Sequence, residues 1–332
     1  MVCGMNPPDK DLNKTMVYCV MFSTMKLHTL HCIILSFCAL LLAGCPPIRF
    51  SPNVDYDTGF EYGVGNFRTG SSQYEERPLR MDRIAPNDVP GGNLPCVLLV
   101  HGGGFDGGSR DDEDLLRFAD GLATEGYVCF SMDYRLLGEP PFAPLGFNLL
   151  PLISNKNILE DLIGYTAAIH ASFVDVKVAL RHLRANAEFY GIDPNRIVVM
   201  GESAGAFGAI AAAVTEDEDF AGDAGFSVPA INNPGTSATP QAVITFWGNG
   251  RLVLDEFDAN DPPFLIAHGT VDEEPFASYV NSPLIYDTCV ANDIPAVFYP
   301  LDGLGHGAWN GESDSGWNLV ELSLDFLAQV IP

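Results

Sequence analysis

The sequence predicts an α/β fold: a mostly parallel sheet with helices on both faces. Three observations carry the expectation. From residue 96 onward, short apolar runs alternate with stretches of helical periodicity. Those runs are bounded by glycines and are apolar nearly throughout, as strands buried on both faces are. The chain of 332 residues is 47 % hydrophobic and 18 % charged, a core-forming composition at a length that suits one large α/β domain or two small ones.

The first 45 residues read as an address. Met25-Lys26 opens a segment with few charges, an apolar run follows from Cys32 to Ala43, and "LAGC" closes it at Leu42–Cys45. A dozen apolar residues is short for a membrane span and suits a signal segment. "LAGC" resembles the bacterial lipobox, which implies lipidation at Cys45, export, and anchoring of the mature chain to the cell envelope through its lipid; an ordinary signal peptide or an uncleaved anchor is the alternative. Met25 is then a possible true start. Of eight cysteines, Cys96, Cys129 and Cys289 remain beyond this segment, without a C-x-x-C pair, so neither zinc nor a thiol redox centre is expected.

Residues 46–75, rich in Pro, Gly and Ser, read as a tether followed by edge structure, and 76–332 as the catalytic domain. "RPLRMDRIAP" (77–86) is a weak strand candidate. "CVLLVHGGG" (96–104) is a strand running into glycines, "LLRFADGLATEG" (115–126) a helix stopped by glycine, and "YVCFSMDYR" (127–135) a strand. "DVKVALRHLRANAEFYG" (175–191) repeats Val176, Ala179, Leu180, Leu183 and Ala187 at helical spacing. "RIVVMG" is a strand, and an Ala- and Gly-rich helix follows Ser203. "AVITFWG", "PFLIAHG" and "AVFYPL" are the later strands, and "GWNLVELSLDFLAQV" the last helix. Two segments break the alternation. The apolar, proline-rich 136–157 is expected to act as a lid, folding over the catalytic edge or packing beside it. The acidic 215–240 reads as a surface insertion.

"GESAG" (201–205), between strand and helix, is a nucleophile elbow: a sharp turn lifts the Ser203 hydroxyl above the sheet edge, and the flanking glycines let neighbouring chain approach. A serine needs a base. Among seven histidines, His28 and His31 fall in the signal segment, His170 and His182 lie in helical patterns, His268 lies inside a strand and His101 opens the glycine loop. His306, in "DGLGHGAW" after the last strand, has the position and freedom required. "AHGTVDEEPF" supplies the acid that orients the base: Asp272, with Glu273 or Glu274 as alternatives. "HGGGF" (101–105) offers bare backbone N–H groups to a developing alkoxide, so Gly103, Gly104 and Ala204 are the expected oxyanion-hole donors. No Gly-Lys-Ser/Thr follows that loop, which argues against a phosphate cradle.

The motifs "LLVHGGGFDGGS", "FSMDYRL", "LRANAEFYGIDPNRIVVMGESAG", "PPFLIAHGTVD" and "GLGHG" resemble the α/β-hydrolase carboxylesterases with an HGGG loop, close to the hormone-sensitive-lipase group and related bacterial esterases. The similarity runs from about residue 79 to the C-terminus. It implies a Ser203–Asp272–His306 triad, an oxyanion hole after His101, no metal and no organic cofactor. Glu202 and Ala206 stand where many relatives carry Asp and Gly. The implied reaction is hydrolysis of short- to medium-chain or small aromatic esters through an acyl-enzyme. A peptidase of the prolyl-oligopeptidase type shares this catalytic end but carries a further large domain. A non-catalytic binding protein on the same fold usually lacks a triad member. The expected partner is a small ester. The net charge of −26 argues against nucleic acid.

Overall fold

The structure is a computed structural model that describes residues 49–87, 92–152, 161–313 and 316–332. The signal segment with Cys45, and the last part of the 136–157 stretch, lie outside the described residues.

Eight strands form one sheet in the order β1-β2-β4-β3-β5-β6-β7-β8. β1 (Val54–Arg68) and β2 (Tyr74–Pro86) are an antiparallel hairpin, and β2 joins β4 (Val128–Met132) antiparallel. β3 (Leu94–Val100), β5 (Ile192–Glu202), β6 (Ala242–Phe246), β7 (Phe264–Gly269) and β8 (Ala296–Leu301) continue the sheet in parallel from β4. Successive strand residues point to opposite faces. Cys96, Val97, Leu98, Leu99 and Val100 are all fully buried, so both faces of β3 are covered.

β1 is the element that composition disguised. Its glycines are sites of close approach. A Cβ on Gly63 would lie 2.5 Å from Val178 Cγ1, and one on Gly65 would lie 2.9 Å from Arg135 Nε. Glycine here lets a long edge strand lie against a helix and a buried guanidinium. The compact unit accordingly starts at Phe50, ahead of the expected boundary at 76.

Helix α1 (Glu113–Thr124) is capped by Asp112, whose side chain accepts from Leu115 N at 3.0 Å, and buries Leu115, Phe118, Ala119 and Leu122. Helix α2 (Leu162–Ala185) starts well before the periodic stretch that predicts it, capped by Asp161 on Gly164 N at 2.9 Å. It is buried over most of its length, so its first half carries apolar residues on every side and shows no stripe. The single turn α3 (Ala187–Tyr190) ends at Gly191 in the left-handed conformation. Helix α4 (Ala204–Val214) is buried throughout, α5 (Asn281–Ala291) packs on β7 and β8, and α6 (Leu319–Val330) opens with an Asn318–Glu321 capping box. α1 contacts α6, and α2 contacts α4.

β3 lies between β4 and β5, so the chain reverses its direction of winding there. In open parallel sheets the crevice beyond the strand ends at such a reversal is where ligands bind. The loops leaving β3 and β5 meet at that crevice.

Candidate active site

Val100, the end of β3, pairs with Gly201, near the end of β5, so the His101–Phe105 loop and the Ser203 turn emerge side by side. Ser203 sits at φ 51°, ψ −119°, a backbone region that a non-glycine residue occupies only under constraint. Its N–H donates to Phe246 O at 3.0 Å. The flanking glycines make the turn possible: a Cβ on Gly201 would lie 2.5 Å from Gly205 O, and one on Gly205 would lie 2.2 Å from Val100 O. Larger residues would push α4 off the strand ends.

The turn brings Ser203 Oγ to 2.8 Å from His306 Nε2, and His306 Nδ1 lies 2.7 Å from Asp272 Oδ2. Asp272 is therefore the carboxylate on the histidine. Glu274 instead donates its backbone N–H to Asp272 Oδ1 at 2.8 Å, and Glu273 is exposed. Because the carboxylate only accepts, Nδ1 of His306 carries its proton and Nε2 is left to accept from the serine. Burial would raise the Asp272 carboxyl, but the bonds from His268, His306 and the Glu274 N–H outweigh it and hold the group well below the usual carboxylate range. Burial would lower His306. The hydrogen bond and charge of Asp272, with the nearby charges of Glu202 and Glu274, prevail and raise it.

Two participants escaped the sequence reading. His268, fully buried at the end of β7, places Nε2 at 2.8 Å from Asp272 Oδ2 and Nδ1 at 2.6 Å from Ser282 Oγ. Asp272 Oδ2 is thus held between two imidazoles. The signal was present in the four-residue spacing within "HGTVD", but His268 was read as strand interior. Glu202 accepts from the Gly102 N–H and, at 2.7 Å, from Trp247 Nε1. Burial pushes its carboxyl up, against the lowering effect of those two bonds. It ties the glycine loop to the serine turn.

In the glycine loop, Gly103 has φ +103° and Gly104 φ +63°; a Cβ on Gly103 would fall 2.3 Å from Gly107 O. Both glycines, Ser203 and His306 line one cavity of about 310 Å³. Tyr165 and Phe276 add aromatic surface to it, and Asp106 and Glu274 add carboxylates. Ala204, at the start of α4, has an N–H with no carbonyl to meet inside its own helix. A larger cavity of about 520 Å³ opens between α1 and α6 beside Phe118 and Trp309, but none of the three triad residues lines it.

The remaining candidates have structural positions. His101 is buried and stacks on Tyr134, His170 packs edge-on to Phe147, and His182 contacts the Tyr190 hydroxyl at 2.9 Å. Cys96, Cys129 and Cys289 are buried free thiols. Among the described residues no group of His, Cys, Asp and Glu is arranged to hold a metal ion.

Of the two placements expected for the 136–157 stretch, the described part takes the second, packing beside the catalytic edge. The described part, 136–152, contributes no residue to the lining of the Ser203 cavity. Phe147 instead packs edge-on to His170, Phe173 and Phe220, and Leu149 and Leu152 are buried. Its apolar residues find an aromatic cluster made by His170 and Phe173 of α2 and by Phe220 of the 215–240 segment, and the apolar surface at the serine comes from Tyr165 and Phe276. Segment 215–240 is anchored more firmly than an insertion need be. Asp223 joins Asp175 on the buried Arg135 (2.8 and 2.7 Å), and Asn232 bonds both the N–H and the C=O of Val64 on β1 (2.8 and 2.9 Å).

Comparison with known proteins finds similarity to esterases. A family model described as BD-FAE matches residues 163–254, which include Ser203 and Glu202. The chain is 33 % identical over 149 residues to fumonisin B1 esterase of Sphingopyxis macrogoltabida, covering 43 % of this chain and 25 % of that protein. It is 33 % identical over 142 residues to para-nitrobenzyl esterase of Bacillus subtilis, covering 41 % and 25 %. The chain thus spans about a quarter of the length of these curated relatives. A solved thermophilic esterase from the Planctomycetes species Thermogutta terrifontis, with butyrate bound, superposes with a TM-score of 0.59 at 19 % identity, over 84 % of this chain and 95 % of that one. With the strand order and the strand–turn–helix at Ser203, that overlap establishes that the chain has the α/β-hydrolase fold.

Proposed function

We propose that the protein is a serine carboxylic-ester hydrolase that acts through an acyl-enzyme on short- to medium-chain or small aromatic esters. The observation that carries the reading is the unbroken path from Ser203 Oγ through His306 to Asp272, opening on a cavity shared with Gly103 and Gly104. His306 Nε2 takes the hydroxyl proton as Ser203 attacks the ester carbonyl. The N–H groups of Gly103, Gly104 and Ala204 receive the oxyanion, each such donor being worth about 3 kcal/mol. His306 returns the proton to the departing alcohol, and the acyl group remains on Ser203. Water, deprotonated by the same nitrogen, then releases the acid. Asp272 keeps its charge throughout and stabilises the imidazolium. The chemistry calls on no cofactor. The small volume at the serine favours short acyl chains, since each further methylene gains about 0.8 kcal/mol only while there is room to bury it.

The esterase names of the matched relatives support ester over peptide hydrolysis. The His101–Gly104 loop supports placing the chain among the HGGG-loop, hormone-sensitive-lipase-like esterases. A fluorophosphonate probe should label Ser203, and p-nitrophenyl butyrate should be hydrolysed; Ser203→Ala should abolish both. Absence of labelling in folded protein would favour a binding protein on this fold. We further propose that Cys45 is lipidated and anchors the exported chain to a bacterial envelope. The mature N-terminus would then be Cys45, and Cys45→Ser would release the protein from the detergent phase. A mature N-terminus at another residue would refute the anchor.

A further inference from the structure

A positive φ is costly for every residue but glycine, and least so for Asn and Asp among the others. Among the described residues, four of other types adopt one: Phe105 (68°), Ser203 (51°), Phe220 (51°) and Trp247 (38°). Phe220 lies in the aromatic cluster of the 215–240 segment. The other three stand where β3, β5 and β6 run out into the crevice. The glycine loop accounts for Phe105 and the nucleophile turn for Ser203. Trp247 has no such role: it is fully buried and lines neither the Ser203 cavity nor the one between α1 and α6. Strained backbone of this kind persists only where its surroundings hold it, and it gathers at functional sites.

The backbone on either side fixes where the indole goes. The N–H of Trp247 donates to Ala267 O at 2.8 Å, continuing the pairing of β6 with β7. A Cβ on the next residue, Gly248, would fall 2.4 Å from the Ala206 methyl, so the chain turns tightly against the start of α4. The indole Nε1–H donates to Glu202 Oε2 at 2.7 Å, and the other Glu202 oxygen takes the Gly102 N–H. The same ring packs edge-on to His306, with centroids 6.4 Å apart. One side chain thus meets the base directly and, through one carboxylate, the loop that carries Gly103 and Gly104. Glycine or asparagine would suit the φ of 38° at less strain. Neither carries a rigid ring with a single donor at its rim.

We propose that Trp247 is a positioning residue for ester hydrolysis: through Glu202, its indole N–H holds the Gly102–Gly104 loop where the oxyanion on the Ser203-bound substrate requires it. The inference rests on the hydrolase reading. Trp247 touches no reacting atom and acts only by fixing the donors that do. Those donors meet a charge that develops in the transition state, so their displacement should appear in kcat and not in KM. A small displacement suffices, because misplacement by roughly 1 Å can cost about a hundredfold.

The test sets Trp247→Phe beside Trp309→Phe, with p-nitrophenyl butyrate as substrate and a melting curve for each protein. The Trp309 ring packs on Phe118, Phe246 and Trp247, so its replacement is the control for loss of an indole from the same cluster. Trp247→Phe should lower kcat about ten- to a hundredfold and leave KM within about twofold. Trp309→Phe should keep kcat within about threefold at a comparable change in Tm. Adding Glu202→Gln to Trp247→Phe should cost no more than about a further twofold, because both changes break one path. Should Trp247→Phe fail to fold, benzothienylalanine at position 247, in which sulfur replaces the N–H within the same ring outline, should show the loss of kcat. Wild-type kcat in a folded protein lacking the indole N–H, a rise in KM in place of the fall in kcat, an equal kcat loss in Trp309→Phe, or multiplicative losses in the double variant would each overturn the proposal and leave the hydrolase reading standing. A wild-type protein that melts normally yet turns over no ester would remove the hydrolase reading and this inference with it.

Discussion

Replacing His268 with alanine tests whether the second imidazole on Asp272 has a catalytic consequence. The ring is fully buried and makes two hydrogen bonds, 2.8 Å to Asp272 Oδ2 and 2.6 Å to Ser282 Oγ. A bond to a charged acceptor is worth about 1.5–3 kcal/mol, and stranding the buried Ser282 hydroxyl and vacating the ring's volume add to the loss. His268→Ala should therefore destabilise the fold by roughly 3–5 kcal/mol, lowering Tm by on the order of 10 °C. The kinetic effect is separable. Asp272 would lose one of the donors holding its carboxyl low and would rise toward the ordinary range, remaining ionised at neutral pH. With one competing donor gone from Oδ2, the carboxylate would accept more strongly from His306 while being held less firmly in place. His306 works as a base only when neutral, and its folded value is raised, so the acid limb of kcat/KM in the wild type lies above the ordinary histidine value of about 6.5. In the variant that limb should move to higher pH. The plateau should fall about tenfold, the equivalent of some 1.4 kcal/mol of lost orientation. His268→Gln keeps an N–H donor and should recover part of both effects. The assay is a pH series of p-nitrophenyl butyrate hydrolysis beside melting curves. A His268→Ala protein that melts early but keeps the wild-type limb and plateau would show that the contact only holds the fold, and the reasoning would fail.

The glycine loop predicts an asymmetry. Gly103→Ala puts a methyl 2.3 Å from Gly107 O at φ +103° and should reduce kcat by a hundredfold or more, the scale on which lost oxyanion donors act. Gly104→Ala, whose methyl would meet only Asp106 Oδ1 at 3.5 Å, should cost much less, and equal losses in kcat would refute the distinction. Ser203→Gly should raise Tm slightly although it abolishes activity, because glycine relieves a strained φ of 51° worth about 1–3 kcal/mol; a melting point no higher than that of Ser203→Ala would contradict this. Glu202→Gln turns an acceptor toward two donors into one acceptor and one donor, so either the Gly102 N–H or the Trp247 indole loses its partner. Stability should drop by about 1–3 kcal/mol and kcat should fall with it, which denaturant titration and initial rates would check.

What could be read from the sequence depended on whether a residue's role was local. The Ser203 turn was legible because strand, glycine, serine, glycine and helix are contiguous, and backbone sterics alone demand those glycines. The parallel strands were legible because double-sided burial leaves short apolar runs. Helix α2 was found only from its second half, since burial on every side over Ala167–Val174 erases the 3.6-residue stripe. Within 46–75, read as tether and then edge structure, the bounds of β1 were hidden because Gly63 and Gly65 lower strand propensity, and the reason for them, Val178 and Arg135, lies far away in the chain. His268 and Glu202 were invisible as functional residues for the same reason: each acts through a partner that only the folded sheet brings near. The apolar 136–152 stretch drew attention correctly to its need for burial. Composition could not say which apolar surface would satisfy that need, and the structure assigns it to Phe173 and Phe220.

The acid groups around the reaction centre pull in two directions. Asp272, Glu202 and Glu274 together raise His306, which strengthens it as the base toward Ser203 and favours the imidazolium that forms in the transition state. In the proposed reaction the same charges oppose the oxyanion growing on the other side of the serine. Bound water could not be relied on to offset that repulsion in a cavity of about 310 Å³ that substrate must fill. Fixed backbone dipoles can, because they need no reorganisation as the charge develops. This gives a physical reason for Glu202 to sit where it does. One of its oxygens holds the Gly102 N–H and the other the Trp247 indole, so the carboxylate that adds to the repulsion also fixes the loop whose next two N–H groups counter it. The elbow, the glycine loop and the β6 end are thereby tied together through one side chain. The strain stored at Ser203 is then held by the fold and is not released by local movement of the turn.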